Sequence, residues 1–315
     1  MTTNLITGGA GFIGSHLSEI LLEKGEKVIV LDNLSTGDFS NIAHLEGNSE
    51  FQVLIDDVSN EDLTEHLIRK SDRVFHLAAS VGVRLVIERP TECLTNNILG
   101  TDIVLRYACR YRKQVLIAST SEVYGDPLEH PQRESYNGNV KTMGPRACYD
   151  EGKRCAETLF FDYWRQHKLR IKVARIFNTY GPRMHPNDGR VVSNFIMQAL
   201  RGEPITIFGD GSQTRAFCYV DDLIEGFVRL MAAPDEVTGP VNLGNPSEMT
   251  VRDLAERVIR LTGSRSKLAF KPLPVNDPTQ RCPDIAKARD ILGWEPKVDL
   301  ETGLKRTIDY FRRFA

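Results

Sequence analysis

Leu5-Ile6-Thr7-Gly8-Gly9-Ala10-Gly11-Phe12-Ile13-Gly14-Ser15-His16-Leu17-Ser18-Glu19-Ile20-Leu21 is the stretch on which the fold turns. Leu5 to Thr7 read as a short strand, Gly8 to Gly14 as a glycine-rich turn, and Ser15 to Glu23 as a helix with Leu17, Ile20 and Leu21 on its inner stripe. Outward from it, Val28-Ile29-Val30-Leu31 is apolar without alternation, the pattern of a strand covered on both faces. Similar runs recur at residues 51–55, 73–77, 115–118 and 171–176, with helical periods between them. Each parallel return needs a crossover of about a dozen residues or more. The alternation therefore predicts an α/β fold built on a doubly wound, Rossmann-like parallel sheet.

After Asn178 the rhythm changes. Gly181-Pro182, His185 to Gly189 and Gly209 to Ser212 interrupt shorter elements. We therefore expect residues 1–178 to be predominantly a nucleotide-binding core. Residues 179–315 should be predominantly a smaller, substrate-binding region, with some chain returning to the core. Thr250 opens a marked helix, with Asp253 placed for a capping box and Val251, Leu254, Ala255, Val258 and Ile259 on its apolar face before Gly263. Pro272, Pro274, Pro278 and Pro283 exclude a continuous helix beyond it, and Leu300 to Phe314 resumes one.

Composition narrows the function classes. The chain has 315 residues, 41% of them hydrophobic, and 40 basic against 42 acidic side chains, net −2. No overall positive field recruits nucleic acid or anionic lipid, so any anion must be held locally. No apolar run approaches the ~20 residues of a bilayer span, and no leader pattern opens the chain, so a cytoplasmic protein without a membrane partner is expected. Six scattered cysteines include no Cys-x-x-Cys pair, so no metal site is expected.

The glycines at 8, 11 and 14 are spaced to turn tightly, to let backbone approach phosphate and to seat the helix on the sheet, with Phe12 and Ile13 between them. The helix amino end then offers N–H groups to a pyrophosphate. Asp32, closing the next strand, can accept both ribose hydroxyls, with Asn33 beside it. A carboxylate there repels the extra phosphate of NADP, so NAD is the expected cofactor. Asp57 and Val58 stand where an adenine would lie, and Leu77, Ala78 and Ala79 leave room at the next strand end. Each of these also reads as ordinary turn or packing.

Tyr149 and Lys153 are four residues apart, on one helical face. A phenol of pKa ~10 is a poor base at neutral pH, but a nearby ammonium and a positive nicotinamide ring favour its anion. Thr120 follows a strand at the carboxyl edge of the sheet, where open α/β folds place reacting groups. It can hydrogen-bond a substrate hydroxyl beside Tyr149. Tyr-x-x-x-Lys alone also describes many plain surface helices.

Taken together, Gly8-x-x-Gly11-x-x-Gly14, Asp57-Val58, His76 to Ala79, Ser119 to Gly125, Tyr149-x-x-x-Lys153 and Arg175 to Pro182 resemble the extended short-chain dehydrogenase/reductase family of nucleotide-sugar enzymes over essentially the whole chain. Within it, Ser119 to Pro127, Gly144 to Arg154, Gly181 to Phe195, Gly209 to Tyr219 and Gly293 to Pro296 look like the decarboxylases of UDP-glucuronate. That resemblance implies NAD, a UDP-glucuronate substrate and a homodimer formed through helices near 102–111 and 153–164. It also implies that Thr120, Tyr149 and Lys153 form the redox centre, that Ser121 and Glu122 lie beside the group lost at C5, and that Arg281 meets the substrate carboxylate. Asn178, Arg190 and Arg215 match positions that hold the uridine diphosphate, and Arg84 borders the sugar. Ala79 to Arg84 departs from the decarboxylase pattern and looks more like epimerases and dehydratases. Lys141-Thr142-Met143 departs too. The alternatives are therefore a nucleotide-hexuronate or hexose 4-epimerase and a non-catalytic nucleotide-sugar binder.

Overall fold

The computed structural model describes residues 1–272 and 280–315, with the side chains of residues 83 and 84 outside the description. Pro274, Pro278 and the Arg84 side chain therefore lie outside the described residues. Seven strands form the main sheet: β1 (Thr3–Thr7), β2 (Lys27–Asp32), β3 (Phe51–Ile55), β4 (Arg73–His76), β5 (Gln114–Thr120), β6 (Ile171–Ile176) and the strand Val241–Leu243. All pairings are parallel, and the order runs from Val241–Leu243 through β6, β5, β4, β1 and β2 to β3. The winding reverses between β1 and β4. In open α/β sheets that reversal leaves a crevice at the carboxyl ends of the strands, where ligands bind.

Strand alternation divides the apolar side chains between two cores. Leu5, Ile29, Leu31, Val74 and Ile117 meet Leu67, Val104 and Phe160 from the helices α2 (Glu61–Lys70), α4 (Pro90–Arg110) and α5 (Ala147–His167), the short α3 (Val83–Glu88) preceding α4. Ile6, Val28, Val30, Phe75 and Leu116 meet Leu17 and Leu21 of α1 (Phe12–Glu23) and Phe227 of the helix Val220–Ala232. In β1, β2, β4 and β5 both faces are thus withdrawn from water, at ~1.5–3 kcal/mol for each large apolar side chain, which is why their runs do not alternate, whereas the edge strand β3 leaves Ile55 exposed.

Two expected boundaries shift. The first helix begins at Phe12 rather than Ser15, because Gly11 already serves as its extended N-cap. β5 continues through Thr120, so that residue ends the strand rather than following it. The Thr250 hydroxyl accepts the Asp253 N–H at 3.0 Å and starts the helix Val251–Thr262, which ends at Gly263 in the left-handed region.

Beyond residue 178 the expected shortening holds for the strands but not for the helices, since Val220–Ala232 has 13 residues and Val251–Thr262 has 12. The strand Thr214–Ala216 lies between Glu248–Thr250, antiparallel to it, and Gln280–Arg281, parallel to it. This register sets Arg281 opposite Arg215. Among the described residues, no helix is long and apolar enough to cross a membrane.

Candidate active site

At the crevice, the turns after β1 and β4 touch. Gly8 has φ +76°, and a Cβ there would stand 2.7 Å from the Ala78 nitrogen. The Leu77 N–H donates to the Thr7 carbonyl at 3.0 Å, and the Ala78 N–H to the Thr7 hydroxyl at 3.3 Å. Gly11, at the N-cap of α1, has only the Gly8 carbonyl near the place of a Cβ, at 3.2 Å. A ligand can therefore approach the first N–H groups of α1, beginning at Phe12 and Ile13, without meeting a side chain at Gly11.

Asp32 ends β2 almost fully buried. Its carboxylate accepts the Ala10 N–H at 2.9 Å and the Leu34 N–H at 2.8 Å. Burial pushes its pKa up, against those backbone donors. The carboxylate braces the glycine turn and keeps lone pairs for hydroxyl donors. Asn33 donates to Asp57 at 2.5 Å. The Val58 side chain is buried in the core on the α2 and α4 side, leaving Asp57 as the polar member of that pair. This set of phosphate-facing N–H groups, ribose-reading carboxylate and polar sheet edge fits an adenine dinucleotide.

The second group of residues comes from β5, the turn Ser121–Tyr124 and the first turns of α5. Lys153 is buried, and its ammonium donates to the Ala118 carbonyl of β5 at 3.0 Å. Burial lowers its pKa to about 8. Tyr149, on the same helical face, hydrogen-bonds the Thr120 hydroxyl, which also accepts the Glu122 N–H at 3.2 Å. Burial, reinforced by the Glu122 charge, pushes the Tyr149 phenol well above its usual value, with the Thr120 hydrogen bond working the other way. The Lys153 ammonium is committed to the Ala118 carbonyl, and the Tyr149 phenol answers chiefly to burial and to Glu122.

Arg281 is buried rather than solvated in its proline-rich segment. Its guanidinium donates to the Ser121 carbonyl, to the Gly125 carbonyl at 3.1 Å and to Glu122 at 3.3 Å. Arg146 reaches the other Glu122 oxygen at 3.6 Å. Burial opposes the charge on Glu122, but Arg281, Arg146 and Arg215 together hold its pKa below the usual value. Ser121 is buried beside this cluster.

The remaining anion-binding candidates are more dispersed. Arg215 donates to the Thr214 carbonyl at 2.8 Å. Arg190 pairs with Asp188 at 2.7 Å and lies 5.8 Å over the Phe12 ring, beside the start of α1. Asn178 follows β6, and its carbonyl accepts the Cys218 N–H at 2.8 Å.

Three features escaped the sequence reading. Arg146 and Asp150 flank Tyr149 and line one pocket with Glu122, and their charge within a turn of a candidate proton carrier was the available signal. Burial, then the Glu122 charge, raises Asp150 to about 7, against Arg146 and Arg281. His76 is a buried brace between the Thr7 hydroxyl at 2.8 Å and the Thr101 hydroxyl at 3.3 Å. Outside the residues that line this pocket, His130, Glu248 and Cys282 bring atoms of metal-ligating type within 4.8 Å of one another, which their sequence spacing did not show. The His130–Glu248 contact at 2.9 Å accounts for two of the three.

Comparison with known proteins places these residues in a familiar setting. The model of the NAD dependent epimerase/dehydratase family matches residues 4–244. The chain is 50% identical to UDP-glucuronic acid decarboxylase 1 of Danio rerio, over 98% of this chain and 72% of that protein. It is also 50% identical to UDP-glucuronic acid decarboxylase 3 of Arabidopsis thaliana, over 98% of this chain and 88% of that one. Among solved structures, UDP-glucuronic acid 4-epimerase from Bacillus cereus, in complex with UDP-glucuronic acid and NAD, superposes with a TM-score of 0.91 at 32% identity, covering all of both chains.

Proposed function

The chain belongs to the NAD dependent epimerase/dehydratase family, and from that premise we propose that it is an NAD-dependent UDP-glucuronate decarboxylase forming UDP-xylose and carbon dioxide. The observation that carries this reading is the Arg281–Glu122 contact at 3.3 Å beside the Tyr149–Thr120 pair, which joins a carboxylate-recognising cation to a redox centre. The likeness to decarboxylases of two kingdoms, at half of all positions, supports it.

Gly8, Gly11, Gly14 and the start of α1 would hold the cofactor pyrophosphate, Asp32 its adenosine ribose, Asp57 its adenine edge, and Lys153 its nicotinamide ribose. When bound, NAD supplies a hydride acceptor and a positive ring that favours the Tyr149 phenolate. Tyr149 removes the C4 hydroxyl proton, and Thr120 hydrogen-bonds the same oxygen. The 4-ketone formed is beta to the carboxylate, so carbon dioxide can leave with its electron pair delivered to an enolate. Thr120 and Tyr149 stabilise the charge developing on that oxygen.

Arg281 attracts the substrate carboxylate. Its long contact to Glu122 is the one a carboxylate can replace, while the two carbonyl contacts keep the guanidinium in place. Ser121 and Glu122 would stand beside the departing group, with Glu122 ordering the water from which C5 is protonated. Arg190, Arg215 and Asn178 would hold the uridine diphosphate in a chain with no general positive field.

Incubation with UDP-glucuronate, with mass identification of the product and measurement of released carbon dioxide, tests the reading. UDP-xylose and carbon dioxide in equal amounts are expected, and a product retaining every carbon would establish the 4-epimerase instead. That second reading draws on Ala79 to Arg84 and the epimerase superposition, at lower identity than the decarboxylases.

The proposal extends to a homodimer. α4 and α5 pack together, with the Tyr163 hydroxyl 3.4 Å from Asp102, and leave Leu99 and Trp164 exposed at 55% and 38%. The cytoplasm is the proposed compartment, since all six cysteines are free thiols, as a reducing environment keeps them.

A further inference from the structure

Decarboxylation of a hexuronate has a stoichiometric requirement that epimerisation lacks. The carboxylate leaves as neutral carbon dioxide, so every turnover takes up one proton from solvent. The bond from C5 to the carboxyl carbon breaks, its electron pair enters the C4 enolate, and a new C5–H bond needs a proton. Tyr149 does not meet this need, because the proton it takes from the C4 hydroxyl returns to the same oxygen when C4 is reduced.

The structure contains a route for the additional proton. A pocket of about 500 Å³, including the space at its mouth, is lined by Glu122, Arg146 and Asp150, with exposed Asp126, Asn139 and Lys141 on its outer wall. Glu122 stands at its inner side, in contact with Arg281 and beside the Tyr149–Thr120 pair. Asp150 projects from the first turn of α5, immediately after Tyr149. Its Oδ1 is buried and, among the described residues, has no hydrogen-bond partner. A buried, unpartnered carboxyl oxygen in a solvent-connected pocket is costly unless the group is protonated or meets water.

We propose that Asp150 is the proton-supplying residue of this site, passing its proton to C5 through water ordered on the Glu122 carboxylate and regaining it from solvent through the pocket mouth. The inference rests on the decarboxylase reading above.

The groups acting on Asp150 agree with that division of labour. Burial disfavours its charge most, Glu122 and Glu151 act in the same direction, and Arg146 and Arg281 oppose them without prevailing, so that it is raised to about 7. Asp126 and Lys141 stand farther out on the pocket wall. Glu122, faced by three arginines, is held as the carboxylate. Two neighbouring carboxyl groups pushed in opposite directions form an acid and base pair. In the transfer, the water on Glu122 gives a proton to C5, Asp150 replaces that proton, and solvent reprotonates Asp150. No oxidant or reductant is consumed in this step.

The test compares wild type, Asp150→Asn and Asp150→Glu with UDP-glucuronate across pH 6 to 9, measuring carbon dioxide, UDP-xylose and released UDP-4-keto-pentose separately. Wild-type turnover should fall as pH rises past about 7. D150N should bind UDP with ordinary affinity and still release carbon dioxide. It should form UDP-xylose roughly 100-fold more slowly, the scale of a lost general acid, with that pH limb gone and the keto sugar released. D150E, which keeps an acid, should recover most of the rate. D150N turnover within twofold of wild type with the same pH limb would overturn the proposal. So would a slow D150N that keeps the limb, or a folded D150E that recovers nothing, since both describe a packing role. Failure of wild type itself to release carbon dioxide would instead reject the decarboxylase reading.

Discussion

At the scale of single residues, the site contains groups that a fold selected only for stability would not keep. Asp150 is the clearest. Unfolded, it titrates near the ordinary aspartate value of 3.8, and in the folded chain at about 7. Between those values the folded state holds a proton that the unfolded chain has released. Stability is therefore lost as pH rises from about 4 to about 7, and the loss persists above that. The amide introduced by D150N does not titrate, so this variant should match wild type below pH 4 and gain over it as pH rises, reaching its full advantage above pH 7. Thermal unfolding at pH 4 and pH 8 checks this; an equal loss at both pH values would mean that Asp150 is a structural acceptor. Tyr149 and Lys153 could be read from sequence because a spacing of four puts two side chains on one helical face whatever surrounds them. Asp150 could not, since its unusual acidity arises from burial and from Glu122, neither of which is local in sequence.

At the scale of elements, what could be read depended on length and on local chemistry. Strands of four to seven residues covered on both faces, such as β4 and β5, leave continuous apolar runs. The Thr250 cap and the glycine turn are set by residues a few positions apart. The three strands that set Arg215 beside Arg281 are only two or three residues long, too short for any periodicity to appear. The Arg281–Glu122 contact joins residues 159 positions apart, so only the assembled fold reveals it. The β1 to α1 turn offers a controlled test of why its glycines are there. Gly8 and Gly25 have similar φ values of +76° and +74°, but a Cβ on Gly8 would meet the Ala78 backbone at 2.7 Å whereas one on Gly25 would meet nothing within 4 Å. Gly25→Ala should cost ~1 kcal/mol, the backbone penalty alone. Gly8→Ala should cost more than G25A and weaken NAD binding, because the turns after β1 and β4 must separate. Urea unfolding and NAD titration of the two variants measure the difference, and equal losses would show that the two turns can part freely.

At the scale of the whole molecule, the scaffold does not choose the reaction. The same seven-stranded sheet and terminal region superpose on an epimerase that binds a hexuronate nucleotide, so oxidation at C4 can serve either outcome. What separates them is the carbon whose bond breaks next. An epimerase must turn a ketone over and reduce its other face, with C5 untouched. A decarboxylase must hold the carboxylate, release it and protonate C5 from solvent, which requires an anion-reading cation, an enolate-stabilising pair and an open proton path in one pocket. In the proposed reading Arg281 and the Thr120–Tyr149 pair, which adjoin Glu122, and the Glu122–Asp150 pocket would supply these three requirements from segments far apart in the chain. Their combination leads to a labelling pattern that neither fold nor family name could supply. In deuterated water, UDP-xylose should carry one deuterium at C5 and none at C4, because the C4 hydrogen leaves and returns without meeting solvent while C5 receives its new hydrogen through the pocket. Mass spectrometry and proton NMR of the product read both positions. Deuterium at C4 would mean that the hydrogen removed there exchanges with solvent, and a C5 position free of deuterium would mean that the proton reaching it comes from a store sealed from the pocket mouth.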